Sequence, residues 1–396
     1  MKCLDTGSSV APDASAFKSF ACCKKGGEKA GDESDFLLFV VTASTTSDDK
    51  ASNEGGIDMV WVDSESSSGY SKKSLMGYDS RLASQRPVHV EATQGADGQP
   101  ILVAIFATTA PTIAESKRFT VWICSELSTS NDGGDTSKPI WKPCGWFDGA
   151  EVKRASATTS PSGDHLVVVE GLDSNGEARV YYGDTSDAKN METQLATFPK
   201  PRDMNSAIQQ VAFVRDSALE TTTSLVLGAG ADNGSSAVFV QSLPDTNVYQ
   251  GTIEIPEETL CFATSEGSRG VDLYVAGAKN AWCYELNAWS SSDSPRNRHQ
   301  INEVDFESPA MNISALVDTE GTKHIWILLE NGDLMYTFDA LGDDEVFLEP
   351  VNILPSTTAF GCHIDPVGNI YVIGVSDDGK MVHNMKDEGT GLWMQK

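Results

Sequence analysis

Hydrophobic residues along the chain occur in pairs of short runs, and a polar turn separates the two runs of each pair. The first run is almost wholly apolar, as in ILVAIF and HIWILL, and the second is shorter and mixed, as in FTVWICS and GDLMYTF. Short apolar runs of this kind, separated by polar turns, predict strands rather than helices. The chain is therefore predicted to be all-β, with a hairpin as its repeated element.

This hairpin recurs seven times at intervals of roughly 45–60 residues. Before each hairpin comes a strand rich in small residues, such as SFACC, PVHVEAT or VKRASAT. Repeats of this period that contain strands throughout are typical of a β-propeller with one repeat per blade. We predict a single propeller of seven four-stranded blades. Six blades with an irregular cap is the alternative, because the first repeat is poorly patterned.

The domain boundaries follow from the repeats. Residues 1–16 are rich in Ser, Ala, Asp and Gly, and we expect them to form a flexible N-terminal arm. Residues 17–396 are predicted to form the propeller as one domain. The first four repeats are longer than the last three, so the blades are predicted to be of unequal length.

Four turn sequences support the predicted hairpins. DSNGE, ADNGS, LENGD and SDDGK each place Asn-Gly or Asp-Gly between the second and third strands of a repeat. These dipeptides favour type I′ turns, whose two central residues both need a positive φ. We therefore predict type I′ turns at these four hairpins.

The net charge of the chain excludes some classes of binding partner. The formal net charge is −28, with 57 acidic residues against 29 basic ones. Such a protein repels nucleic acid backbones and anionic membranes, and no apolar run approaches the roughly 20 residues of a membrane helix. We expect no nucleic acid partner and no membrane insertion. The oligomeric state stays open.

The cysteines leave the cellular location open, although the acidic, Ser/Thr-rich surface favours a secreted or vesicular protein. The eight cysteines match no zinc-binding spacing. Cys362 is expected near the Cys22–Cys23 pair where the first and last blades meet. The other candidate pairs for disulfides are Cys124 with Cys144 and Cys261 with Cys283, and small buried thiols are the alternative.

Candidate polar site residues come from the inner strands, because these strands line the channel of a propeller. The chain contains no nucleophile elbow, P-loop or H-E-x-x-H motif, and its six histidines are scattered. We therefore expect no metal and no cofactor. Cations are scarce, so those on or beside inner strands are the candidates for a catalytic role: Lys18, His89, Arg154 and His363.

Aromatic residues fall into two groups. Those that recur at one position of the repeat, such as Trp122, Tyr181 and Tyr336, are expected to pack between neighbouring blades. Phe20, Phe262 and Phe360 are instead associated with inner strands, and we predict that they form the apolar wall of a substrate site. One main ligand pocket is expected, because propeller mouths are concave and rigid.

The architecture resembles that of fungal lectin-like propellers, and NIYVIGVSDDGKMVHNM is similar to their short strand–DGK–strand unit. Sugar sites in these lectins repeat an Arg, a Glu and an aromatic residue, and that trio does not recur here.

Length, acidity and degenerate repeats make the chain most similar to the hetero-Diels–Alderases of tropolone-sesquiterpene biosynthesis. This resemblance implies a cofactor-independent cyclase that joins a tropolone-derived quinone methide to a humulene-type terpene. Its partners would then be small apolar polyketide and terpene molecules. A carbohydrate-binding lectin of the fucose or tectonin type is the alternative.

Overall fold

The structure is a computed structural model, and it describes the following residues: 17–24, 36–42, 56–62, 70–82, 85–94, 100–107, 117–125, 127, 139–159, 164–185, 193–197, 208–215, 223–230, 236–243, 249–255, 259–267, 270–286, 297–318, 320–339, 346–364, 369–376, 381–386 and 393–395. Some of these strands are described by their backbone alone. The predicted arm over 1–16 lies outside the described residues.

The chain divides into two compact units. The N-terminal unit comprises residues 4–198 with 378–380, and the C-terminal unit comprises residues 199–377 and 381–396 with 1–3. The prediction of one domain over 17–396 stays a prediction.

The N-terminal unit contains three four-stranded antiparallel sheets in its described part. Short 3-10 helices at Met76–Tyr78 and Ser80–Leu82 follow the first sheet. The twelve strands are β1 (Phe17–Lys24), β2 (Phe36–Thr42), β3 (Gly56–Val62), β4 (Tyr70–Ser74), β5 (Arg86–Gln94), β6 (Pro100–Ala107), β7 (Lys117–Ser125), β8 (Ile140–Gly149), β9 (Glu151–Thr159), β10 (His165–Leu172), β11 (Ala178–Asp184) and β12 (Ala196–Thr197).

The described part of the C-terminal unit contains four such sheets. Its strands are β13 (Ile208–Arg215), β14 (Thr223–Gly230), β15 (Ser236–Leu243), β16 (Tyr249–Ile255), β17 (Cys261–Gly267), β18 (Gly270–Ala276), β19 (Ala281–Leu286), β20 (Asn297–Gln300), β21 (Ala310–Val317), β22 (Lys323–Leu329), β23 (Leu334–Phe338), β24 (Val351–Leu354), β25 (Thr357–Ile364), β26 (Ile370–Ser376), β27 (Met381–Lys386) and β28 (Trp393–Gln395).

Each sheet pairs four consecutive strands in chain order, which is the arrangement predicted for a propeller blade. The described residues contain no α-helix. The all-β class and the four-stranded repeat are therefore confirmed. That the seven described sheets form seven blades of one ring stays a prediction.

In the second strands whose side chains the structure describes, β6, β10, β22 and β26 among them, most residues are buried on both faces. In β6 every residue from Pro100 to Phe106 is buried. One face of β6 packs towards the first sheet with Trp122 of β7, and the other packs towards the third sheet with Tyr181 of β11. These two recurring aromatics therefore pack between neighbouring sheets, as expected.

The turns differ from the predicted type I′. In the β10–β11 hairpin, Gly176 has a φ of 80°, and the amide of Gly176 donates to the carbonyl of Asp173 at 3.0 Å. The β22–β23 hairpin repeats this geometry at Gly332, with a φ of 87°. Asn175 and Asn331 are not in the left-handed region. The type I′ prediction is therefore wrong at both hairpins, because three-residue loops need only the glycine to be left-handed. The other two turns lie outside the described residues.

Two predicted disulfide pairs do not form, because all four cysteines are free. Cys124 and Cys144 pack into different clusters, on opposite faces of their sheet. Cys261 and Cys283 share a face, but β18 lies between their strands and places Tyr274 opposite Cys283. The side chains of Cys22 and Cys23 lie outside the described residues, so their proximity to Cys362 stays a prediction.

Gly145 allows a close backbone approach between two segments of the N-terminal unit. Its φ is 140°, and a Cβ at this position would lie 2.6 Å from the carbonyl oxygen of Thr193. This carbonyl accepts a hydrogen bond from the amide of Trp146 at 3.0 Å.

We expect Gly145→Ala to lower the free energy of unfolding by about 2–3 kcal/mol, because it adds both backbone strain and a clash with backbone. Chemical denaturation measures this loss. The matched control is Gly77→Ala, since a Cβ at Gly77 would have nothing within 4 Å. An equal, small effect of both variants would contradict the argument.

Candidate functional site

Two neighbouring inner strands of the N-terminal unit, β5 and β9, hold the candidate site. A bulge between Pro87 and His89 sets the register of β5 against β6. Val90 and Ala92 pack into the apolar cluster towards the first sheet. Because side chains alternate along a strand, His89 and Glu91 lie together on the other face of β5.

His89 and Glu91 are close, and the environment of each side chain disfavours an ion pair between them. Their Nε2 and Oε2 atoms are 3.9 Å apart, and His89 Nε2 is buried without a hydrogen-bond partner. Burial, with the nearby charge of Arg154, lowers the pKa of His89 to about 4. Burial also raises the pKa of Glu91 to about 8, against the opposing effects of Arg154 and of the Ala92 amide. Both shifts favour the uncharged form of the side chain, and solvent at the partly exposed Glu91 opposes the second shift.

Arg154 and Glu170 form the second half of the site. They are direct cross-strand partners on β9 and β10. Glu170 is 5% exposed, and its Oε2 has no hydrogen-bond partner. Burial raises the pKa of Glu170 to about 7, and the charges of Arg154 and Lys153 oppose this shift.

These four residues, His89, Glu91, Arg154 and Glu170, are called the inner-strand polar site below. The charge of Arg154 acts on each of the other three side chains. The side chain of Glu91 is 41% exposed and that of His89 is 18% exposed, so solvent reaches the site. The site thus combines one fixed positive charge with three groups that are neutral near pH 6, and all four can form hydrogen bonds.

The described inner strands of the C-terminal unit do not repeat this arrangement uniformly. The strand β21 contains no ionisable residue. Its Ser314 Oγ instead lies 3.2 Å from Cys362 Sγ of β25. Small groups therefore pack between these two inner strands, whereas the N-terminal unit places ionisable side chains on its inner strands β5 and β9.

The structure brings together two of the four predicted polar residues, His89 and Arg154. The side chains of Lys18 and His363 lie outside the described residues, although their strands, β1 and β25, form. The catalytic role predicted for all four stays a prediction.

The structure describes the side chains of two of the three residues predicted to form the apolar wall. Phe262 is only 2% exposed, so its ring presents little surface to a ligand. Phe360 packs against a cluster of the C-terminal unit that contains Trp326. The side chain of Phe20 lies outside the described residues. The role of these rings in binding a substrate stays a prediction.

Sequence reasoning missed Glu91 and Glu170. Glu91 follows His89 by two residues and therefore shares its face of β5, which is a signal that alternation supplies. Glu170 is the one carboxylate in the apolar run HLVVVEGL. A carboxylate within a buried strand is uncommon and often functional.

A second polar cluster lies in the C-terminal unit, between the third and fourth of its sheets. The Nδ1 atom of His324 lies 2.8 Å from the hydroxyl of Tyr336, and its Nε2 atom lies 3.1 Å from Asp318. Lys386 Nζ donates to the same hydroxyl at 3.2 Å and lies over the ring of Phe338. Burial lowers the pKa of His324, and Asp318 opposes this shift. Because its polar groups are partnered, we interpret this cluster as structural.

The described residues offer no metal site and no membrane-spanning helix. They contain no group of three or more His, Cys, Asp or Glu side chains that could hold a metal ion. Nor do they include a helix with the length and hydropathy needed to span a membrane.

No family model matches the chain, and no curated protein matches it either. Among solved structures, a mutant of the alpha-L-arabinofuranosidase arb93a from Fusarium graminearum, in complex with an iminosugar inhibitor, is 10% identical with a TM-score of 0.51, and the match covers 96% of each chain.

Two further similar structures come from fungi. AofleA from Arthrobotrys oligospora is 12% identical, with a TM-score of 0.43, over 85% of this chain and 87% of that one. The Aleuria aurantia lectin AAL, in complex with Fucalpha1-6GlcNAc, is 12% identical, with a TM-score of 0.42, over 80% of this chain and 95% of that one. At these identities the comparisons bear on fold alone. The chain has an all-β fold of the β-propeller class.

Proposed function

We propose that this protein binds a small saccharide at the inner-strand polar site. The observation that carries the proposal is the pair of buried atoms without a partner, His89 Nε2 and Glu170 Oε2, which both belong to side chains that the charge of Arg154 influences. A buried polar atom without a partner costs about 1–3 kcal/mol, which a ligand can recover by supplying the hydrogen bond. Saccharide hydroxyls both donate and accept, so a sugar can supply the missing hydrogen bond at either atom.

The chemistry of the other side chains supports the same ligand class. A guanidinium offers several donors in a fixed fork, and a protonated carboxyl both donates and accepts. Solvent reaches Glu91, so a ligand can reach it as well. The site is polar, whereas a pocket for two apolar molecules would be lined mainly by aliphatic and aromatic side chains.

A cyclase of the hetero-Diels–Alderase type is the second candidate, and one observation favours it. Because burial raises the pKa of Glu91 to about 8, this carboxyl keeps its proton at neutral pH. It can then donate that proton to a departing hydroxyl, as formation of a quinone methide from a tropolone precursor requires. Arg154 would donate hydrogen bonds to the quinone-methide oxygen.

Binding to a glycan array, followed by calorimetry with the best ligand, tests the saccharide proposal. We expect a stoichiometry near one, because the described side chains of β17, β21 and β25 do not repeat the polar site. Arg154→Gln should weaken binding by about 100-fold, since hydrogen bonds to a charged group contribute about 1.5–3 kcal/mol each. Arg118→Gln is the matched control, because Arg118 belongs to the same unit but is 44% exposed and paired with Asp148. Unchanged binding in Arg154→Gln would exclude this site.

Incubation with a tropolone precursor and a humulene-type alkene separates the two candidates. Saccharide binding without product formation supports the lectin-like function. Product formation that Glu91→Gln abolishes, together with an empty glycan array, would instead establish the cyclase.

A further inference from the structure

We propose that the saccharide bound at the inner-strand polar site is acidic, and that its single carboxylate pairs with Arg154. This inference rests on the proposed function and deepens it, because it names the class of sugar and the group that recognises it.

The first argument is the pairing state of Arg154. The chain has 57 acidic residues and only 29 basic ones, so most guanidinium groups should find a carboxylate. Arg81, Arg118 and Arg179 all do so, with bidentate or shared contacts to nearby aspartates. Within the described residues, Arg154 forms no ion pair, although Glu170 is its direct cross-strand partner. The guanidinium of Arg154 therefore stays available for a ligand. Its planar arrangement of N–H donors matches the two oxygens of a carboxylate.

The second argument is the charge of the groups around Arg154. Near pH 6 the carboxyls of Glu91 and Glu170 hold their protons and His89 is neutral, because burial shifts the pKa of each group in that direction. The charge of Lys153 also lowers the pKa of Glu170, but Lys153 is already paired with a carboxylate. Its Nζ atom lies 3.0 Å from Glu151 Oε1. The site then has an uncompensated positive charge, and the protonated carboxyls become donors to an anion. One ligand carboxylate would neutralise the site.

The third argument limits the number of ligand charges. The net charge of −28 repels anions at long range. Salt at physiological concentration screens this field over about 8 Å, so a small monoanion is little affected. A polyanion would extend beyond that distance and meet the acidic surface. A uronic-acid type of sugar therefore fits better than a sulfated or phosphorylated polymer.

The test compares methyl glucuronide with methyl glucoside by calorimetry at pH 6 and pH 9. The two probes differ only in that a carboxylate replaces a hydroxymethyl group. We expect the glucuronide to bind at least about tenfold more tightly at pH 6, since one ion pair in a partly buried site contributes that much. The preference should disappear at pH 9, where Glu91 and Glu170 are ionised and repel the ligand.

Two variants assign the effect to residues. Arg154→Gln should abolish the preference for the glucuronide at pH 6. The double variant Glu91→Gln/Glu170→Gln should retain at pH 9 a preference that the wild type loses, because glutamine mimics the protonated carboxyl. The control variant Arg118→Gln should change neither the preference at pH 6 nor its loss at pH 9.

The possible outcomes separate this inference from the proposed function. Equal affinities for the two probes at pH 6, or a neutral glycan as the best ligand on the array, would overturn the acidic-sugar inference and leave saccharide binding intact. Failure of both probes together with an empty array would overturn the proposed function itself.

Discussion

Replacing Trp326 by alanine is expected to lower the free energy of unfolding of the C-terminal unit by about 3–5 kcal/mol. Trp326 lies on β22, is fully buried, and packs between two sheets with Leu328, Leu354 and Val372. Its ring centroid is 5.5 Å from that of Tyr336. Removing the indole leaves a cavity among these side chains, and close-packed sheets collapse only partly around such a gap. Urea denaturation monitored by circular dichroism measures the loss.

The matched variant is Trp326→Phe, which keeps an aromatic ring in the same place. The indole Nε1 of Trp326 is buried without a hydrogen-bond partner, so phenylalanine removes an unsatisfied donor as well as volume. We expect this variant to lose much less stability than the alanine variant. A loss below about 1 kcal/mol in Trp326→Ala would show that the two sheets do not depend on this contact.

The strands were the most predictable feature, because their signal is local. A short apolar run such as ILVAIF is best buried as a central strand, because both faces of that strand are then covered by neighbouring sheets. Turn type was less predictable. The pair Asn175–Gly176 is compatible with several loop lengths, and Asp173 selects the longer loop by accepting hydrogen bonds from the amides of Asn175 and Glu177. These hydrogen bonds to Asp173 form only once the longer loop is adopted. The Asn-Gly dipeptide alone therefore does not determine the turn type.

The candidate site was predictable only in part, for a related reason. His89 and Arg154 could be selected because each is a scarce cation on an inner strand. Glu170 belongs to the next strand of the third sheet, and only the register of β9 against β10 places it opposite Arg154. A bulge after Val152 sets that register. The sequence indicates a strand there but not the offset between the two strands, and a shift of one residue would turn Glu170 away.

The number of cysteines did not predict which of them lie close together. An even number of cysteines permitted disulfides, but the faces of the strands decide which thiols meet. In the second sheet, Cys124 faces the first sheet and Cys144 faces the third. Burial raises the pKa of Cys144 to about 12, so this thiol stays protonated and poorly reactive at neutral pH.

Glu170→Gln is expected to make the protein more stable relative to wild type as the pH rises from 4.5 to 8. In the unfolded chain this carboxyl loses its proton near its ordinary pKa of 4.5, whereas burial raises its pKa to about 7 in the folded protein. The folded state therefore binds more protons than the unfolded state between these values, and wild-type stability falls with rising pH. Since Glu170 is only 5% exposed, solvent screens the effect little, and the loss is about 3 kcal/mol.

Glutamine has no proton to lose, so the variant lacks this penalty. The other shifted groups stay in both proteins and cancel in the difference: Glu91 acts in the same direction as Glu170, and His89 destabilises the fold as the pH falls below about 6.5. Denaturation of both proteins across the pH range should therefore give a stability difference that grows by about 3 kcal/mol in favour of Glu170→Gln. The control Glu151→Gln, at a carboxyl that is 53% exposed, should give a difference that stays nearly flat. A flat difference for Glu170→Gln as well would mean that the Glu170 carboxyl is already ionised beside Arg154. The site would then lack its uncompensated positive charge, and its preference for an anionic ligand would fail.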